Sequence, residues 1–312
     1  MDPITKALER AQQDEPSVRG WVQPDSDHEV AKAAAEGGKQ KASASPETQT
    51  SESLRIDSTS MIRLDPELLA NNHILCGTDR EIPLITDRYR ILRTRVLQLM
   101  RANGWRSLGI TSPGAKAGKT VTSINLAISI ARENKDSVTL LDADIRRPTA
   151  AEYLGASEPT AGLPDYLLNQ STLTDIIRGI DSLKTLSFIS GKCAHQENVN
   201  PDILKSSRVT ELLSELQDDN QSGLLIVDLP PVLVGDDVLA MAAHLDALLF
   251  VVDENSTHVD DLTNALELVA DFNLVGTVMN KSTSKQTNDS GYHYHYRNDM
   301  PAAGPGLKAE NI

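Results

Sequence analysis

Aromatic residues supply only 4% of this chain of 312, and cysteine occurs twice. The chain also lacks any excess of positive charge, any long apolar run and any recognisable secretory leader. Each absence excludes something. Cys76 and Cys193 are far apart and match no metal-ligand spacing, which argues for a reducing compartment and assigns neither a role. A formal charge of −14 argues against a general nucleic-acid binder, because such proteins need basic surface to displace counterions from phosphates. The longest apolar run, Ala247 to Val252, falls far short of the roughly 20 residues that cross a bilayer. The opening MDPITKALERAQQDEP breaks every apolar pair with a charge or an amide, so it does not read as a signal peptide. The expectation is a soluble, cytoplasmic protein that reaches a membrane only through a partner. Its 39% hydrophobic content suffices for one sizeable core.

What is present is unevenly distributed. Three of the six tyrosines, Tyr292, Tyr294 and Tyr296, crowd into one window of an otherwise polar tail. At the other end, Asp2 as a cap, Pro3 at the first helical position, and Ile4, Ala7, Leu8 and Ala11 at helical spacing predict a short amphipathic helix. Such a helix is marginal alone, and it is either a docking element or a frayed terminus. Residues 17 to about 60 carry almost no large aliphatic side chains, so burial cannot offset the entropy of ordering them. They read as a disordered linker. A second helix is predicted from about Thr86 to Ala102, with Ile85, Tyr89, Leu92, Val96 and Leu99 spaced to pack one face on the body. Arg88, Arg90, Arg93 and Arg95 then project elsewhere as a basic ridge, which a solvated helix face would also explain.

From Ser107 to Met279 short apolar runs alternate with helical patterns: SLGIT, SVTLLD, TLSFIS, LLIVD, ALLFVV and LVGTVM. Runs rich in valine, isoleucine and leucine without polar alternation are strands buried on both faces, and helices between them imply right-handed crossovers. The predicted fold is therefore α/β, a doubly wound and mainly parallel sheet. Ligands of such sheets bind beyond the carboxyl ends of the strands, which gives weight to the residues just after each run.

The first run is followed by Ser112-Pro113-Gly114-Ala115-Lys116-Ala117-Gly118-Lys119-Thr120 and then by a helix, predicted amphipathic, through Ile124, Leu126, Ala127, Ile128 and Ala131. A tight loop of this kind aims successive backbone N–H groups at phosphate oxygens while the helix N-terminus adds partial positive charge. Gly114 to Val121 are the candidate nucleotide contacts, with Lys119 neutralising the β and γ phosphates and the Thr120 hydroxyl on magnesium. The strict pattern wants glycine where Pro113 stands, with Gly114 one place late; the strand, loop and helix around GKT sustain the reading. The second run ends in LLDADIRRP, where Asp142 and Asp144 can both reach one cleft, although a capping turn before a Pro148 helix would use the same residues. After LLIV comes Asp228, followed by Pro230 and Pro231, which suits a water-mediated magnesium contact.

The set of GKT, LLDADIRRP, LLIVDLPP and a late Met279-Asn280-Lys281 resembles the bacterial tyrosine kinases, a branch of the P-loop ATPases related to the septum-placing and plasmid-partition ATPases. The likeness spans roughly residues 80 to 296. It implies ATP and magnesium as cofactors, Lys119, Asp142 and Asp144 as catalytic residues, and Thr120, Asp142 and Asp228 as the magnesium set. It adds Asn280 to the nucleotide contacts, Tyr292, Tyr294 and Tyr296 as sites of autophosphorylation, and Asp87, Arg90 and Arg93 as counterparts of a self-association motif. It also implies a homo-oligomer, a membrane-embedded polysaccharide co-polymerase as activator, a counteracting tyrosine phosphatase and a role in exopolysaccharide export. Lys116 stands where the family has a loop glycine, so its bulk must tolerate a glycine-like backbone or the loop must adjust. His293 and His295 could bind a metal, but two histidines without a third ligand make a weak site. A rival reading is a dimeric partition-type regulatory ATPase that phosphorylates nothing. Its loop would carry a lysine near the start, where Gly114 and Ala115 stand. A degenerate scaffold with a loop spoiled by Lys116 is a third. The expected organisation is a helix and linker over 1–60, a helical segment over 61–106, a P-loop domain over 107–285 and a tail over 286–312.

Overall fold

The computed structural model describes residues 61–282, apart from 76–82, 134–136, 157–160, 194–198 and 219–222. The expected amino-terminal helix and linker, Cys76, His293, His295 and the three tail tyrosines lie outside the described residues. Eight strands form one sheet: β1 (Met61–Ile62), β2 (Ser107–Thr111), β3 (Val138–Asp142), β4 (Ile177–Ile180), β5 (Leu183–Ile189), β6 (Leu224–Asp228), β7 (Ala247–Asp253) and β8 (Leu274–Asn280). Their order is β1-β4-β5-β3-β6-β2-β7-β8. All six apolar runs are strands, and every pairing is parallel except that of β4 with β5. The α/β class is as expected, because branched side chains suit a pleated surface covered on both faces. β1 and β4 are too short to leave a periodic signal in the sequence.

Nine helices cover the sheet among the described residues: α1 (Pro66–Asn71), α2 (Pro83–Asn103), α3 (Lys119–Glu133), α4 (Ala150–Tyr153), α5 (Leu163–Leu167), α6 (Leu173–Ile176), α7 (Ser207–Asp218), α8 (Asp237–Ala242) and α9 (Val259–Leu268). One apolar cluster joins Leu69 of α1 and Val96 and Met100 of α2 to Ile124 and Ile128 of α3 over one face of the sheet. The other joins Tyr166, Leu212, Val238 and Leu262 over the opposite face. The described residues of 61–106 therefore share a core and a sheet with the rest. None of the described helices is long and apolar enough to cross a membrane, and Cys193 forms no disulfide.

Helix α3 departs from the expected amphipathic pattern. Every residue from Thr122 to Ala131 is buried, because the sheet covers one side while α2 and residues 73–75 cover the other. Its polar side chains are paired to meet that burial. The Asn125 side chain accepts from Leu75 N–H at 2.8 Å and donates to the His73 carbonyl at 2.9 Å.

Helix α2 begins at Pro83, three residues before the expected start, as proline permits in a first turn. Its buried face is Arg93, Val96, Leu97 and Met100, with Tyr89 half-buried beside it, whereas Leu99 is exposed. Arg93 is thus a correction to the predicted ridge. Its guanidinium donates to the Ser129 carbonyl at 3.0 Å and to Ser129 Oγ at 3.3 Å, and it pairs with Glu133. Arg88, Arg90 and Arg95 remain exposed, and Arg90 meets Asp87 at 3.5 Å in solvent. Arg93→Ala should lower the unfolding free energy by about 2 kcal/mol, since it removes charge-assisted bonds and buried stem. Arg90→Ala should change it by less than about 0.5 kcal/mol. Chemical denaturation of both variants checks the pair.

Candidate nucleotide-binding site

The carboxyl ends of β2, β3, β6, β7 and β8 converge around the loop over residues 112–118. The loop leaves β2 beside the segment that follows β6: Thr111 Oγ1 donates to the Pro230 carbonyl at 2.7 Å, and Val232 N–H donates to the Ser112 carbonyl at 2.9 Å. Two residues carry the turn. Gly118 has φ +96°, and a Cβ there would meet Asn280 Nδ2 at 2.1 Å, so this position admits glycine alone. Lys116 has φ 65°, the left-handed conformation that costs a side-chain-bearing residue about 1–2 kcal/mol. The expected conflict at Lys116 is therefore real, and the loop keeps the glycine-like geometry. Gly114 needs no glycine, since a Cβ there would meet nothing within 4 Å, which explains how the displaced glycine is tolerated.

Lys119 opens α3, and its Nζ pairs with Asp144 Oδ2 at 2.7 Å. One helical step on, Thr120 Oγ1 donates to Asp228 Oδ2 at 2.6 Å, and Ser123 Oγ donates to Asp228 Oδ1 at 3.1 Å. Asp142 is the register neighbour of Asp228 across β3 and β6. Its Oδ1 accepts from Asp144 N–H at 3.2 Å and its Oδ2 from Ala150 N–H at 3.1 Å. The three expected carboxylates and the lysine are thus brought together, all four buried. Asp144 faces the cavity, while Asp142 and Asp228 stand behind it.

Electrostatics follow from that crowding. Burial and then the Asp228 charge push Asp142 well above the usual carboxylate range. Burial raises Asp228 also, against the opposing pull of Lys119 and Thr120. Burial alone would lower Lys119, but Asp228 and Asp144 outweigh it and raise its affinity for a proton. One lysine among three carboxylates leaves an excess of negative charge, which fits a divalent cation. The hydroxyl of Thr120 with Asp228 behind it, and Asp142 beside them, are the residues that would hold magnesium. Among the described residues no group of three or more His, Cys, Asp or Glu side chains could hold a metal unaided; magnesium is ordinarily bound through one or two carboxylates together with substrate phosphates.

A cavity of about 1030 Å³ opens in front of this cluster, with Lys116, Gly118, Lys119, Thr120, Val121 and Asp144 in its wall. Ala115 also lines it, whereas Ala117 is buried beneath and Asn280 holds the loop from outside, its Nδ2 donating to the Ala117 carbonyl at 2.8 Å. On the far side, Arg146 pairs with buried Asp237. Sequence reasoning passed over Asp253 and Ser123. Asp253 ends the run ALLFVVD, so the strand-end rule that selected Asp142 and Asp228 would have found it.

A family model described as ParA, NUBPL iron-transfer P-loop NTPase, matches residues 106–302. The chain belongs to the ParA family of P-loop NTPases. Its members' loop binds nucleotide, in keeping with the cradle over residues 112–120. Among curated proteins, a putative tyrosine-protein kinase CapB of Staphylococcus aureus is 25% identical over 71% of this chain and 94% of its own length. The tyrosine-protein kinase YwqD of Bacillus subtilis is 28% identical over 67% of this chain and 86% of its own. Of solved structures, the chimerical protein CapA2B2 aligns with a TM-score of 0.59 at 22% identity, covering 72% of this chain and 94% of that one. The kinase domain of the Escherichia coli tyrosine kinase ETK aligns with a TM-score of 0.56 at 23% identity, covering 64% and 78%. These likenesses bear out the expected resemblance, and the structural ones bear out the fold.

The raised carboxylates give a pH dependence. A group whose folded pKa exceeds its unfolded value stabilises the fold most when protonated, so its contribution is present below the unfolded pKa and is lost as pH rises through the folded one. For Asp142 and Asp228 that window opens at about pH 4 and runs upward. Lys119 changes nothing there, being charged throughout. The unfolding temperature of the nucleotide-free chain should therefore fall as pH is raised from about 5 to about 8, with a flatter profile in Asp142→Asn. Thermal scans across pH check this; an unaltered slope in the variant contradicts the assignment to Asp142.

Proposed function

We propose that the chain is an ATP- and magnesium-dependent protein-tyrosine autokinase that phosphorylates its own Tyr292, Tyr294 and Tyr296. The observation that carries this is the buried cluster of Lys119 with Asp142, Asp144 and Asp228, which gathers three strand ends behind one cavity. A site that only had to hold a nucleotide would not need Asp142 kept ready for a proton, and the sequence places acceptor tyrosines ten residues and more beyond the last described ones. Curated relatives named as tyrosine kinases support the same reading.

In this reading Lys119, now paired with Asp144, would turn to the nucleotide phosphates, while N–H groups of residues 114–118 and the amino end of α3 would take up the remaining phosphate charge. Magnesium, when bound, neutralises charge that builds on the phosphate oxygens. Asp144, at the cavity wall, orients the phenol. Asp142, whose proton affinity burial and Asp228 raise, is the residue proposed to accept its proton. Because Asp142 is buried behind Asp144, this role requires the turn over residues 142–147 to open. The remaining rate arises from positioning and from fixed charge.

The tail of one subunit is proposed to enter the site of its neighbour in a homo-oligomer, with Asp87 and Arg90 at the contact. A membrane-embedded polysaccharide co-polymerase would recruit the chain to the inner face of the plasma membrane and activate it, a tyrosine phosphatase would reverse it, and exopolysaccharide export would be the process controlled. Each phosphate brings about −1.5 to −2 charge, so a fully modified tail repels its neighbours.

Incubation of the full chain with ATP, magnesium and an activator fragment, followed by phosphate mapping by mass spectrometry, tests the proposal. Label should appear on residues 292–296; its absence would overturn the reading. Lys119→Ala should reduce labelling at least about a hundredfold. Asp142→Asn should reduce it by about 10²- to 10⁴-fold while ATP binding is retained.

A further inference from the structure

We infer that Lys281 and Asp253 form a latch that holds the phosphate loop in its binding conformation, and that this latch compensates for the lysine at position 116. The inference rests on the ATP site proposed above and names two positioning residues for it.

Lys116 carries φ 65° without being glycine, so the loop at this point stands in a conformation its own residue disfavours. Something outside the loop must select it. Lys281 Nζ donates to the Lys116 carbonyl at 2.6 Å, and the same ammonium pairs with Asp253 Oδ2 at 2.9 Å. The bond to the carbonyl is what fixes the peptide, since flipping residue 116 to the right-handed region would turn that oxygen away. Asp253 is itself held, with its N–H donating to Thr257 Oγ1 at 3.1 Å and its Oδ1 accepting from Asn255 N–H at 3.0 Å. Burial would raise it, but Lys281 and its other donors outweigh burial and keep it in the charged form. Lys281 also has a left-handed backbone, φ 56°, and Asn255 Nδ2 donates to its carbonyl at 2.5 Å. Next to it, Asn280 secures the Ala117 carbonyl. Two consecutive carbonyls of the loop, at 116 and 117, are therefore tied to two consecutive residues at the end of β8.

The consequence is a conformational selection. Without the latch, a lysine at 116 leaves the binding conformation populated at about one part in ten, so apparent nucleotide affinity falls about tenfold. A glycine populates the left-handed and right-handed regions about equally, so losing the same latch would cost only about twofold.

The test is a double-mutant cycle on the full chain, with ATP-magnesium affinity read by equilibrium titration. Lys281→Met should weaken binding about tenfold in the Lys116 background and about twofold in Lys116→Gly. Asp253→Asn should show the same dependence on position 116 in weaker form, and it stands in should Lys281→Met fail to fold by circular dichroism. Equal losses in the two backgrounds, or no loss in either, would overturn the latch. Failure of the unsubstituted chain to bind ATP would instead overturn the nucleotide site on which it rests.

Discussion

Asp228 is the carboxylate on which the geometry of the site depends. Its two oxygens accept from Thr120 and Ser123 in the first turn of α3, and its backbone carbonyl accepts from Ala143 as the chain leaves β3. A single buried residue thus joins the phosphate-binding helix to two strands, through its side chain on α3 and its backbone on β3. Burial makes its charge costly and raises its proton affinity, against the opposing pull of Lys119 and of the Thr120 and Ser123 hydroxyls. The same crowding drives the proton affinity of Asp142 upward. The structural need to fix a helix and the chemical need for a base are met by one arrangement, which is why neither carboxylate can be read in isolation.

Much of this was legible in the sequence, and for a physical reason. Strands buried on both faces have to be continuous apolar runs, so SLGIT, LLIVD and the others announced themselves, and the rule that ligands sit beyond strand ends pointed to Lys119, Asp142, Asp144 and Asp228. What could not be read were features set by tertiary context. The apolar stripe of α2 packs on the body through Ile85, Tyr89, Leu92 and Val96, but Leu99 is exposed and Arg93 joins the buried face, and an arginine in a core is intelligible only once Ser129 and Glu133 stand opposite. Helix α3 looked one-sided because Ser123, Asn125 and Ser129 break its apolar pattern; each is buried and paired across to another element. Strand β1 is two residues long and exists only because β4 lies beside it. The glycine fingerprint misled in a different way, since its apparent displacement to Gly114 has no steric meaning while the true left-handed position holds a lysine.

That lysine shows how a loop can keep a geometry while losing the residue that ordinarily permits it. The restraint has been moved from the local chain to the far end of the sheet, where β7 and β8 deliver Asp253, Asn280 and Lys281 side by side. Loop and strand end are separated by 165 residues in sequence, the span between Lys116 and Lys281. The phosphate cradle is therefore held by a non-local contact rather than by its own local sequence alone.

Arg93 has a mechanical consequence. Its guanidinium bolts the inner face of α2 to the last turns of α3, while Asp87 and Arg90 look outward from the same rigid rod. One helix thus has its inner face anchored by a cation to the carboxyl-terminal half of α3, whose opposite tip bears Lys119, and leaves its outer charges to solvent.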